Sequence, residues 1–154
     1  MRLYNTLTGA IDELQPVNPG AVGIYVCGVT PYSESHVGHA MNAIVYDVLV
    51  RYLRWQGNPA GGYRVTFVSN YTDVDDKVID RGRELGIDPL ELAEQNIALW
   101  EEQQRTLNLT FPDVRPRVTT HIPPIVALTQ RLIDNGHAYA TPSGDVYFRV
   151  RSDN

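Results

Sequence analysis

The stretch that most constrains this fold runs from Gly23 to Ser69. A short apolar, β-branched run (Gly23 to Cys27) stops at Gly28, a polar loop follows, and His36-Val37-Gly38-His39 opens a long amphipathic segment. From Val37 to Gln56, apolar residues stand at 37, 40, 44, 45, 48, 49, 52 and 53, with Arg51, Arg54 and Gln56 falling between them. That is the spacing of one helical face, and Gly57 closes the helix. After a loop at Asn58–Gly62, Tyr63 to Ser69 alternates apolar and polar residues as a second strand does. A helix joining two strands of one sheet implies a right-handed parallel crossover, so the chain is α/β and Gly23 to Cys27 is a buried parallel strand.

In an open α/β sheet, the crevice beyond the strand and in front of the helix N-terminus is where nucleotides bind. Free backbone N–H groups and the positive dipole end face it. A glycine at 38 lets a flat base or a phosphate approach where a Cβ would block it. His36 and His39, three residues apart, share a helical face and can both aim donors at a triphosphate. On spacing alone the pair reads more readily as two surface or partly buried histidines. No Gly-Lys-Ser/Thr follows, so this is not a Walker loop, and the three-glycine dinucleotide fingerprint is absent.

The remaining chain is punctuated by turn residues. Met1 to Val17 suggests a short hairpin or edge strand, and Pro16 and Pro19-Gly20 precede the first core strand. Asn70-Tyr71-Thr72-Asp73-Val74-Asp75-Asp76-Lys77 ends the second strand. Its three carboxylates allow a hard-cation site or an N-cap with an acidic first turn, and spacing favours the cap. Val74 to Leu85 is a helix ended by Gly86, and Asp88-Pro89 starts another that runs to about Leu107, burying Leu92, Ile97, Leu99 and Trp100. Glu101 to Gln104 reads as a solvated face. Phe111 to Arg117, with two prolines, is the expected linker, dividing a first domain at 1–115 from a second at 116–154. There a helix from His121 to Asn135 precedes a hairpin around Pro142–Asp145.

Composition narrows the function classes. At 43% hydrophobic and 20% charged residues, 154 residues can bury a real core. A net charge of −5 without a dense basic run argues against strong non-specific nucleic-acid binding. No apolar run reaches 18 residues and no signal peptide opens the chain, which implies a cytoplasmic location away from membranes. A single cysteine excludes an internal disulfide. At a strand end, such a residue is ordinarily a small buried hydrophobe.

His36-Val37-Gly38-His39 resembles the His-Ile-Gly-His signature of class I aminoacyl-tRNA synthetases, with Val for Ile. Tyr25-Val26-Cys27-Gly28-Val29-Thr30, Asn70 to Lys77, Leu3 to Thr8 and Gly144 to Phe148 narrow the resemblance to the N-terminal portion of cysteinyl-tRNA synthetases. The resemblance implies the first half of a Rossmann-like (HUP-type) parallel-sheet nucleotide-binding fold at 1–115, with the start of the connective insertion at 116–154. It implies ATP-dependent activation of L-cysteine to cysteinyl-adenylate, with Mg2+, and transfer to tRNA-Cys. His36 and His39 would be catalytic, and His36, Val37, Gly38 and His39 would bind ATP. Gly28, Thr30 and Thr72 match positions lining the amino-acid pocket. Cys27 matches one of four Zn2+ ligands, where the metal takes the substrate thiolate and so discriminates against serine.

The family's other zinc ligands, its Lys-Met-Ser-Lys-Ser signature and its tRNA-binding helices have no counterpart in this sequence, and His121 and His137 match no ligand position. The chain is therefore expected to be an N-terminal piece, inactive alone, with apolar surface exposed where a C-terminal half docks. Any main tRNA surface would lie elsewhere. Two alternatives remain. Thr30-Pro31-Tyr32 resembles the cysteine ligase of mycothiol synthesis, which passes cysteine to an amino-sugar, although Lys77 and Leu3 to Thr8 are more like the tRNA enzyme. A non-catalytic nucleotide-binding module is the other.

Overall fold

The first two strands, β1 (Arg2–Asn5) and β2 (Ala10–Glu13), pair antiparallel as the short hairpin that the opening residues suggested. β3 (Ala21–Val29) then pairs in parallel with β4 (Arg64–Tyr71), and α1 (Val37–Arg54) connects them. This computed structural model describes residues 1–152, in two compact units, one Met1–Arg117 and the other beginning at Val118. The first unit is thus mixed α/β with a parallel pair at its centre. Among the described residues, no helix is long and apolar enough to cross a membrane.

β3 does not stop before Gly28 but runs through it. The ladder shifts register between Val26 and Val29, and Asn70 Oδ1 accepts the Gly28 N–H at 2.8 Å, so pairing resumes beyond the irregularity. A Cβ at position 28 would lie 1.4 Å from the Asn70 carbonyl oxygen, so the strands approach here only because residue 28 is glycine.

The core of the first unit lies where α1 covers the sheet: Val50 and Leu53 join Val26, Val65 and Phe67. The buried face of α1 differs from the expected one. Leu49 and Leu53 turn inward, but Val37, Ile44, Val45, Val48 and Tyr52 are exposed. Apolar residues occupy more than one side of this helix, so periodicity alone could not choose the side that meets the sheet. β3 is likewise not buried on both faces, since Val26 is 7% exposed and Tyr25 63%.

α2 (Asp76–Leu85) is capped by Asp75, which accepts from Lys77 N at 2.9 Å, and ends at Gly86 in the left-handed conformation. α3 (Pro89–Thr106) is capped by Asp88 and buries Leu92, Ala93, Ile97, Trp100 and Gln104. Leu99, expected inside, is exposed. The 101–104 run is not a solvated face: Gln104 is buried, and Glu101 accepts hydrogen bonds from Tyr71 and Arg115. Both follow from helix geometry, because 101 and 104 lie one turn beyond the buried Ile97 and Trp100.

The 111–117 segment is not a free linker either. Asp113 N donates to Phe67 O at 2.8 Å, and Ser69 N and Tyr71 N donate to Val114 O and Pro116 O at 3.1 and 2.8 Å. It lies parallel along the edge of β4, bridging at Val114 and Arg117. Pro116 supplies a carbonyl and no donor, which an edge position tolerates.

In the second unit a short 3-10 turn leads into α4 (Ile122–Asp134), which has prolines in its first turn. β5 (Ala138–Ala140) and β6 (Val146–Phe148) form the expected hairpin, with Tyr139 and Tyr147 stacked at 6.1 Å.

Asp47 is the buried charge of α1. It accepts from Arg51 Nε at 2.8 Å and from Thr110 N at 2.8 Å, tying the helix to the chain beyond α3. Burial pushes its carboxyl upward, but hydrogen bonds from Thr110 and the bond and charge of Arg51 outweigh it and hold the group below its ordinary value of 3.8. A carboxylate depressed in the folded state contributes stability above its unfolded pKa, and that contribution is lost as pH falls through the folded value. Asp47→Asn should therefore cost about 1–3 kcal/mol at pH 7 in urea unfolding. The difference from the parent should shrink below about pH 4; a constant difference across that range would contradict the assignment.

Candidate functional site

A cavity of about 450 Å³ opens where the carboxyl ends of β3 and β4 meet the start of α1 and the side of α3. This lies within the roughly 300–1,000 Å³ usual for small-molecule sites. Cys27, Gly28, His36, Gly38, His39 and Asn70 contribute to its wall.

The two imidazoles cap α1 reciprocally. His36 is the N-cap residue in extended conformation, and its Nδ1 accepts the Gly38 N–H at 3.1 Å, while His39 Nδ1 accepts the His36 N–H at 3.2 Å. This is a capping box in which histidines replace the usual hydroxyl and carboxyl residues. A ring nitrogen that accepts a backbone N–H carries no proton, so each neutral ring holds its proton on Nε2 and keeps that N–H as a donor. The rings lie 4.1 Å apart, and His39 packs 6.2 Å from Trp100. Desolvation, then the neighbouring His36, push the His39 pKa below 6.5 and favour its neutral form. No acidic residue stands in the first turn of α1 to offset the positive dipole end. Gly38 has an internal reason to be glycine, because a Cβ there would sit 2.9 Å from His36 Cε1.

Cys27 is exposed on the cavity wall, so it is not the small buried hydrophobe that a lone cysteine commonly is. The structure thus gathers Cys27, Gly28, His36, Gly38 and His39. It does not bring every expected residue there. Val37 is 84% exposed and lines a neighbouring shallow groove, and Thr30 and Thr72 are not among the cavity's lining residues. Thr72 N donates to Val29 O at 3.0 Å, and Thr30 O accepts from Tyr32 N at 2.9 Å, so both flank the cavity at the strand ends. Asn70, Trp100 and Gln104 line it without having been singled out. Asn70 is the penultimate residue of β4, and Trp100 and Gln104 come from the buried side of α3.

Cys27 offers one soft donor. Among the described residues, no group of three or more His, Cys, Asp or Glu side chains could hold a metal ion. A tetrahedral zinc site needs four ligands, so these residues do not fit one. The acidic run forms no such group: Asp75 caps α2 and Asp73 is buried.

Over residues 13–154 the chain matches the family described as tRNA synthetases class I (C) catalytic domain. It is 51% identical over 152 residues to the Cysteine--tRNA ligase of Maridesulfovibrio salexigens, and 47% identical over 152 residues to that of Trichlorobacter lovleyi. Each alignment covers 99% of this chain and 30% of the relative, so the chain spans about 30% of the length of these curated relatives. Among solved structures it is similar to Mycobacterium tuberculosis methionyl-tRNA synthetase in complex with methionyl-adenylate. That match has a TM-score of 0.65 and 27% identity, over 76% of this chain and 23% of the other.

The reciprocal cap predicts a pH dependence. His39 has a folded pKa below its ordinary 6.5, so as pH falls the unfolded chain takes up the proton first. Stability is therefore full above about pH 6.5 and declines as pH drops through the folded value. His39→Gln retains a capping acceptor without titrating. Its melting temperature should vary less than the parent's between pH 7.5 and 5.5, and equal slopes would rule out this role.

Proposed function

The chain belongs to the class I tRNA synthetases, in the family of the (C) catalytic domain, and on that premise we propose that its cavity binds ATP and L-cysteine for the first step of a cysteine--tRNA ligase. In that step the cysteine carboxylate attacks the α-phosphate of ATP, forming cysteinyl-adenylate and releasing pyrophosphate. The observation that carries the reading is the reciprocal imidazole cap beside an exposed thiol on one cavity wall.

The attacking carboxylate is already ionised, so no general base is required. Catalysis consists of orienting the two substrates and offsetting charge that builds on the phosphates. His36 and His39 bind those phosphates through their Nε2–H donors, helped by the uncompensated end of α1. Capping fixes both rings before the nucleotide arrives, so little freedom is lost on binding. The ATP site is the His36-Val37-Gly38-His39 turn, with Val37 contributing backbone rather than side chain and Gly38 packing against adenine. Mg2+ enters with ATP as part of the substrate. The methionyl-adenylate in the similar solved structure supports an aminoacyl-adenylate as the occupant.

Gly28, Thr30 and Thr72 form the amino-acid end of the site. Cys27 would be one zinc ligand of the whole enzyme, since among the described residues no further donors join it. The second step passes the cysteinyl group to tRNA-Cys. With a net charge of −5 on this part, the tRNA surface lies on the remainder of the whole enzyme. That remainder docks on apolar side chains left exposed here, including Tyr25 and Val48. The reaction belongs to the cytoplasm, where tRNA is charged.

ATP titrated into the 15N-labelled protein should shift the Nε2 resonances of both His36 and His39. His36→Ala and His39→Ala should each weaken ATP binding about tenfold or more, the effect of one charge-assisted hydrogen bond. Unshifted imidazoles, or affinities that ignore both substitutions, would overturn the assignment.

A further inference from the structure

The register shift between β3 and β4 places two residues, Cys27 and Gly28, opposite one, Asn70, since Val26 pairs with Ser69 and Val29 with Tyr71. That is a bulge, and bulges re-aim the side chains they carry. It interrupts the ladder at the point where an exposed cysteine leaves the strand. The Gly28 N–H, which regular pairing would give to a backbone carbonyl, goes instead to the side chain of Asn70 at 2.8 Å.

Because a backbone N–H can only donate, the Asn70 amide must present its oxygen to Gly28 and its NH2 group to the other side. There Nδ2 donates to Thr72 Oγ1 at 3.2 Å. A hydroxyl oxygen that accepts in this way keeps its own proton for another acceptor. One amide thus joins the bulge at Gly28 to Thr72 at the start of the next loop, and leaves the Thr72 hydroxyl proton free. The backbone contributes to the same lock, since the missing Cβ of Gly28 is what admits the Asn70 carbonyl.

We propose that Asn70 is a positioning residue for the amino-acid end of the cavity: it holds the bulge that carries Cys27 and, by donating to Thr72, leaves the Thr72 hydroxyl proton free for another acceptor. This inference rests on the reading of the cavity as a cysteinyl-adenylate site. Asn70 touches no reacting atom and acts through Gly28 and Thr72.

Two substitutions separate positioning from bulk stability. Asn70→Ala removes both bonds; Asn70→Asp keeps an acceptor for Gly28 but turns the Thr72 hydroxyl inward, because a carboxylate accepts its proton. In the 15N-labelled chain, hydrogen exchange at the Gly28 amide should quicken about tenfold in Asn70→Ala and stay near the parent rate in Asn70→Asp. L-cysteine titrated against the Gly28 resonance should bind Asn70→Asp about tenfold more weakly than the parent, while ATP, followed at His39, binds both alike. Unchanged Gly28 exchange in Asn70→Ala, or equal loss of cysteine and ATP in Asn70→Asp, would overturn the positioning role. If cysteine binds the parent and Asn70→Asp equally, the function stands and the positioning role falls. If the exchange pattern holds but the parent shows no response to L-cysteine, the positioning role toward cysteine falls for this chain while the clamp on Gly28 stands.

Discussion

One missing methyl group shapes the centre of this protein. The carbonyl of Asn70 occupies the space that any side chain at position 28 would need, so two parallel strands meet more closely than ordinary residues allow. From that approach follow the bulge, the side-chain bond that replaces a ladder bond, and the exposure of Cys27 beside the helix N-terminus. The cavity is the space left where β3 and β4 diverge from α1 beyond this point.

A second set of constraints keeps the cavity walls in place. Arg54 bonds to Val65 O and Asp113, and Asp113 also accepts from Phe67 N at 2.7 Å, so α1, β4 and the edge segment share one junction. On the α3 side, Tyr71 donates to Glu101, which Arg115 also engages, and Arg117 lies 5.7 Å from the Tyr71 ring. Burial raises the Tyr71 hydroxyl to about 12, with the charge and hydrogen bond of Glu101 adding to it against Arg115. It stays protonated at physiological pH and so remains a donor. These polar links lock the orientation of a small core; apolar burial in two modest clusters supplies its cohesion.

Helix capping and ligand readiness coincide at the imidazole pair. Each ring satisfies a backbone donor through Nδ1, which orients the ring and selects its tautomer without help from another element. The same economy explains Gly38, whose absent side chain makes room for the His36 ring. A site built this way is ordered before any ligand enters.

The sequence by itself determined the elements whose cause is local. Periodicity and punctuating residues marked α1 to α4, turn residues marked the hairpin of β5 and β6, Asp88 marked a cap, the acidic run marked another without saying which carboxylate caps, and the β3–loop–helix order placed the histidines at a crevice. It could not say which side of α1 meets the sheet, because apolar residues ring that helix, nor that Glu101 and Gln104 turn inward. Nor could it show that 111–117 adds to the edge of β4, since those bonds join residues more than forty positions apart. The cavity was half legible: His36, Gly38, His39, Cys27 and Gly28 came from contiguous stretches. Asn70, Trp100 and Gln104 were brought there by packing, and only packing left Thr30 and Thr72 at its margin. Local patterns fix which conformation a segment prefers. Which surfaces touch depends on contacts distant along the chain, and those exist only once the strands have paired.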